Sequence, residues 1–330
     1  MLEALRQAAS ATRSEVDAVS ALELPEPSPA HSALSLEAVS DAFADQIRAR
    51  MADLDMADAE ALRGFGRAGD DGLGRISREM LLALDAGENT HIAGDLTALA
   101  RALAATQSGA ASAPDTASAR LTLWQRLRRR PAPRAGRQAA EAWRQVGRLA
   151  EDLLRRHRDL MARLRRLDML YEQGLDHYDA LALDLAAGKE CLRLARLELA
   201  MPRQPDPATL AVPPPCCDVL ERRLEEMAAT RHRVAQALPL VRLAQEEDKR
   251  LLGHLSDLLS RALPDCARAA ETTQPGPQEI ARHDHCLTAL LQGQALAEQG
   301  QARQEMAREA LHQMAQALAD LSAGGHPPKP

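Results

Sequence analysis

Three groups of side chains in this sequence are of types, and at spacings, that could do chemistry. His283, His285 and Cys286 come nearest to a metal set. On a helix, His283 and Cys286 share a face three residues apart while His285 points away, and zinc takes three or four convergent ligands, so no metal site is assigned. Cys216 and Cys217 are adjacent thiols behind three prolines. Such a pair could capture soft ions or oxidised chalcogen species, but neither a base nor a Cys-x-x-Cys spacing accompanies it. The third group is Arg231, Gln245 and Asp248, with Gln236 and Arg242 close by. Guanidinium groups suit tetrahedral or pyramidal oxyanions. Polar groups at a helix interface also fix register or choice of partner, and this use is preferred here over an oxyanion site. Gly64-Phe65-Gly66-Arg67-Ala68-Gly69 spells a dinucleotide fingerprint, but no β-type run precedes it and no βαβ unit follows. Hydrolase triads, Walker loops and paired catalytic carboxylates have no counterpart here. The expectation is a protein that is not an enzyme, with no catalytic, cofactor-binding or metal residue.

Two heptad seams position these residues. Positions 220, 224, 227, 231, 234, 238, 241, 245, 248, 252, 255, 259 and 262 step alternately by four and three, and ten of the thirteen are apolar. Arg231, Gln245 and Asp248 are the polar three. A helix of that length spans roughly 65 Å and needs partner helices throughout. Pro239 should kink it. The second seam runs from Trp143 through Val146, Ala150, Leu153, His157, Leu160, Leu164, Leu167, Tyr171, Gly174, Tyr178, Leu181 and Leu185. It predicts one very long helix, or two joined at Gly174. His157, the lone titratable member, is expected to be a satisfied interface residue. The prolines between the seams reverse the chain, so the two helices should pair antiparallel.

The central stretch resembles a known family. Arg231, Ala235-Gln236, Pro239, Val241-Arg242-Leu243, Gln245, Leu251, Leu255 and Leu263-Pro264 are similar, without a gap, to the central signature of the TelA family of toxic anion (tellurite) resistance proteins. Further pieces follow in family order: Gly64-Phe65-Gly66, Leu170-Tyr171, Tyr178 with Leu181, and Ala187-Gly188. Together they cover about residues 60 to 320. After Leu263-Pro264, where the family usually carries an aromatic residue, this chain has Asp265-Cys266.

Composition suits long helices with thin interfaces. The chain of 330 residues is 45% hydrophobic and 27% charged but only 2% aromatic, too little to fill a large compact core of ordinary type. The net charge of −6 hides a polarised distribution: residues 1 to 60 balance at −8, and residues 120 to 166 at +11. Five cysteines without a secretion signal argue against a disulfide framework. The fold class expected is all-α, an extended bundle of long antiparallel helices with coiled-coil-like seams. In order, the segments are an acidic, largely disordered tail (1–58), a small helical block (59–103), a flexible basic linker (104–136), a long helix or helix pair (137–201), a Pro-rich turn (202–216), a long central helix with Pro kinks (217–274), a C-terminal helix (278–321) and a disordered end (322–330). In the linker, Trp124, Arg126, Arg128, Arg129 and Arg130 are candidates for contact with an anionic membrane or other polyanion. A solvated basic linker is the preferred reading of that cluster.

The resemblance implies a contribution to resistance to tellurite or related toxic anions and to envelope-directed stress. The residues favour an interaction or scaffold protein whose partners are other proteins met through long helical surfaces, with weak contact to an anionic membrane as an addition and nucleic acid disfavoured. The alternative is direct handling of the oxyanion by Arg or Cys residues. No window approaches a membrane span, so a cytoplasmic location is expected, with a peripheral position at the inner membrane face as its variant. No cofactor is expected, and the oligomeric state is left open.

Overall fold

The computed structural model describes residues 7, 13, 16–18, 41–85, 88–111, 133–201, 216–270 and 276–324. Every regular element among them is helical and none is a strand. In chain order they are α1 (Asp41–Ala52), α2 (Ala59–Gly64), α3 (Arg67–Leu84), α4 (Glu88–Ala111), α5 (Pro133–Ala200), α6 (Cys217–Asp257), a π-turn (Leu258–Ala262), α7 (Leu263–Ala270) and α8 (Pro277–Gly324). The protein is all-α, built from long helices packed together.

The two seams account for α5 and α6. All thirteen residues of the central seam are buried, and those of the α5 seam are buried apart from half-buried Trp143. The helices run antiparallel. Gly174 lies beside Leu238, Arg231 stands over Tyr178, and Gly188 lies beside Leu224, so positions rise along one helix as they fall along the other. Burial on α6 extends beyond the seam to Arg223, Thr230, Ala237, Ala244, Leu251 and Leu258, because α6 has further helices against its other flank.

Contacts divide the chain into two compact units. Unit one comprises residues 1–23, 86–165 and 244–303; unit two comprises 24–85, 166–243 and 304–330. Unit one is held by α4, whose Ile92, Leu96, Leu99 and Leu103 repeat at helical spacing and pack with Val146, Ala150, Leu153 and Leu160 of α5 and Leu251, Leu252 and Leu255 of α6. Unit two buries Leu62 of α2 and Leu73, Ile76 and Met80 of α3. The three helices expected as one block at 59–103 therefore part company: α2 and α3 lie in unit two, and α4 lies in unit one.

Several boundaries differ from expectation for local reasons. The acidic stretch 1–58 is not only a tail. Its α1 buries Ile47 against Leu183, Ala186 and Ala187 of α5, and Arg50 donates to the Ala180 carbonyl at 2.8 Å and pairs with Asp184. Val16 sits in the core of unit one, and Arg13 pairs with Asp257 at 3.2 Å. A few well-spaced apolar residues thus anchor a sequence whose mean composition is that of a solvated chain. α5 is one helix, continuous through Gly174, and α6 continues through Pro239. The π-turn precedes Pro264, which has no N–H to offer the Ser260 carbonyl and whose ring crowds it. One turn widens, and the Leu263 N–H bonds Leu258 five residues back.

Candidate functional site

In unit two, the separate pieces of the sequence signature meet. α2 stops at Gly64, and Gly66 opens α3 with a left-handed backbone at φ +71°, which favours glycine. A Cβ there would stand 2.6 Å from Cε of Met227. The Phe65 carbonyl, exposed by the break between helices, accepts from Nε of Arg223 at 2.7 Å. Arg223 is held in turn by Asp70 at 2.5 Å and Glu226 at 3.3 Å. Burial pushes the Asp70 carboxyl above its ordinary range, while the hydrogen bond and charge of Arg223 oppose the shift. Phe65 also packs near Gly188. Arg223 therefore ties α6 to the turn between α2 and α3.

Deeper in the same unit, the Arg231 guanidinium lies 4.3 Å from the centre of the Tyr178 ring. Arg231 is 8% exposed, and its Nε and Nη2 have no hydrogen-bond acceptor. The ring face is its electrostatic partner. The Arg223–Asp70 pair lines a cavity of about 970 Å³, where Arg67, Arg222 and Arg233 alternate with Asp71, Asp218 and Asp320. Charges of both signs in equal measure give that cavity no preference for an anion or a cation.

Unit one holds a second polar centre. Asp248, fully buried in the central seam, accepts from Nη2 of Arg163 at 2.7 Å and from Nδ2 of Asn89 at 2.8 Å. Arg163 Nη2 also reaches Oδ1 of Asn89 at 3.1 Å. The three residues close a ring of hydrogen bonds that draws on α4, α5 and α6. α8 passes beside it at Gly300, where a Cβ would come 2.7 Å from Nδ2 of Asn89. This is charge-assisted bonding inside a core, which fixes helices along their axes more sharply than apolar contact does.

The family model described as toxic anion resistance protein (TelA) matches residues 4–264. The chain belongs to the TelA family. No curated protein and no solved structure matches it. Membership gives the polar centres a context, a role in toxic anion resistance, but it assigns no residue a task.

The five signature positions proposed from sequence do not form one site. Arg231, Gln236 and Arg242 belong to unit two, Gln245 and Asp248 to unit one. Gln236 is exposed and lies 3.0 Å from a ring nitrogen of His232, its own neighbour one turn back. Gln245 is fully buried and Arg242 half-buried. Trp124, Arg126, Arg128, Arg129 and Arg130 lie outside the described residues. His283 is buried while His285 is exposed, and among the described residues no three His, Cys, Asp or Glu side chains group as metal ligands. His157 is 1% exposed, but neither ring nitrogen has a hydrogen-bond partner, so the expected satisfied interface histidine is instead an unsatisfied one. Sequence reasoning missed Arg163, Asn89, Arg223 and Asp70. A buried Asp at a seam calls for a cation opposite it, yet α5 carries many arginines off its seam and spacing alone does not choose among them.

Proposed function

We propose that this TelA-family chain serves toxic anion resistance as a non-catalytic interaction protein of the cytoplasm, meeting partner proteins through the outer faces of its long helices. The observation that carries the reading is the Arg163–Asn89–Asp248 ring: the charged group in the central seam is spent on aligning three helices of the protein itself. Arg223 with Asp70 and the Phe65 carbonyl works in the same way in unit two. No helix among the described residues is long and apolar enough to cross a membrane. The test is resistance to tellurite in cells carrying the chain with all five cysteines changed to Ser. An interaction protein keeps its resistance in that variant, whereas loss with the fold intact would point to thiol chemistry. A pull-down from stressed cells, with residues Arg126 to Arg130 intact or neutralised, then separates protein partners from an anionic membrane.

One observation favours a second reading, direct oxyanion binding. Arg231 is a buried guanidinium stacked on a ring, with two nitrogens lacking acceptors, and a pyramidal or tetrahedral oxyanion would complete it. Under this reading Arg231→Lys, which keeps charge but loses the planar fork, abolishes any tellurite-dependent thermal shift. Under the interaction reading there is no such shift, and Arg231→Leu raises the melting temperature by removing a buried charge that has no carboxylate.

A further inference from the structure

The five cysteines are all free thiols, and their places in the fold differ. Cys216 and Cys217, the adjacent pair, are half-exposed at the start of α6. Cys191 is buried on α5 near the Met51 carbonyl. Cys266 on α7 and Cys286 on α8 are far apart in sequence but hydrogen-bonded to each other through their sulfurs, within the apolar core of unit one. They are 1% and 0% exposed. The thiol pair formed by folding is therefore not the pair that adjacency in sequence suggests.

We propose that Cys266 and Cys286 are a redox modification site, at which a two-electron oxidant of the peroxide class closes an intrachain disulfide joining α7 to α8. Cys266 is the attacking sulfur, because the Cys286 thiol donates a hydrogen bond to it and holds it below the usual thiol range, while the same contact and burial push Cys286 up. The Cys266 thiol gives up its proton, and its thiolate attacks one peroxide oxygen. The O–O bond breaks, the other oxygen leaves as an alcohol or water, and Cys266 becomes a sulfenic acid. The Cys286 sulfur then displaces the hydroxyl as water, its own proton being lost, and the S–S bond forms. Two thiols and one peroxide give one disulfide, one alcohol and one water. Each sulfur supplies one electron and the peroxide takes both. Apolar surroundings supply no other ligand or acid to divert the sulfenic acid, so its neighbour captures it first. Because both sulfurs are shut inside the core, the reaction proceeds through openings of unit one, and its rate rises with conditions that favour opening.

The test uses the full-length reduced chain treated with hydrogen peroxide, quenched with an alkylating agent and mapped by peptide mass spectrometry without reduction. The expected result is a Cys266–Cys286 cross-link with loss of two of the five thiols, reversed by dithiothreitol and formed several-fold faster in sub-denaturing urea. A variant with Cys191, Cys216 and Cys217 changed to Ser should form the same link. Alkylation of Cys266 and Cys286 after oxidation of Cys216 or Cys217 would overturn the proposal. Separate oxidation of both core sulfurs to sulfinic acid without a link would overturn it as well. The reading is made on the unaltered chain, so it does not depend on whether a Cys266→Ser variant folds.

Discussion

Asp248 is a carboxylate with no exposure to water, a placement that costs several kcal/mol unless the charge is fully met. Arg163 and Asn89 meet it from two other helices. Changing Arg163 to Met should therefore destabilise the protein by about 3–5 kcal/mol, because the carboxylate is left stranded. Changing Arg163 to Met and Asp248 to Leu together should recover most of that loss, since apolar groups of similar volume need no partner. Urea unfolding of the two single variants and the double variant measures the coupling. His157 gives a second test at this scale. Burial, reinforced by the charge of Arg158, lowers its pKa to about 4. The unfolded chain takes up a proton there below pH about 6.5 while the folded chain does not, so stability present above that pH is lost as pH falls towards about 4. The loss over this window is on the order of 3 kcal/mol. In His157→Leu the slope of stability against pH should flatten between those limits, and an unchanged slope would show that other groups carry it.

At the scale of elements, the turn between α2 and α3 depends on one backbone angle. Gly66→Ala adds a methyl at a left-handed position that also faces Met227, so a loss of about 1–3 kcal/mol is expected, measured as a fall in melting temperature with the helix content of the folded state unchanged. The long helices themselves were legible in the sequence. An apolar repeat kept through thirteen positions leaves little choice, and the same periodicity found the apolar stripes of α2, α3 and α4. What escaped depended on contacts between distant positions. The π-turn arises where Pro264 withholds a hydrogen bond, and α1 is held by apolar contacts from α5 that acidic composition conceals. The polar centres were half legible: Arg231 and Asp248 stood out as charges in an apolar stripe, but Tyr178 had been counted only as another apolar member of its seam, and Arg163 and Asn89 lie off any stripe. That Gln236 is exposed follows from its place beside the seam.

At the scale of the whole molecule, α5, α6 and α8 each contribute residues to both units. Unfolding one unit frays helices on which the other depends, so a single cooperative transition is expected despite the division. Fluorescence of Trp143, which packs on the core of unit one, isolated by Trp124→Phe, should report the same midpoint as helix content followed by circular dichroism. Separate midpoints would show that the units melt independently. The polar contacts along α5 and α6 also constrain which changes of length the protein can inherit. In a plain coiled coil a heptad can be cut out and the seam closes without a trace. Here α5 carries Arg163 and Tyr178, and α6 carries their counterparts Asp248 and Arg231. Cutting seven residues from α6 between Arg231 and Asp248 would leave its apolar stripe unbroken, yet the two contacts would no longer be reachable together. A matching cut in α5 between Arg163 and Tyr178 would restore them. Insertions and deletions in these helices should therefore be tolerated in matched pairs and rejected singly.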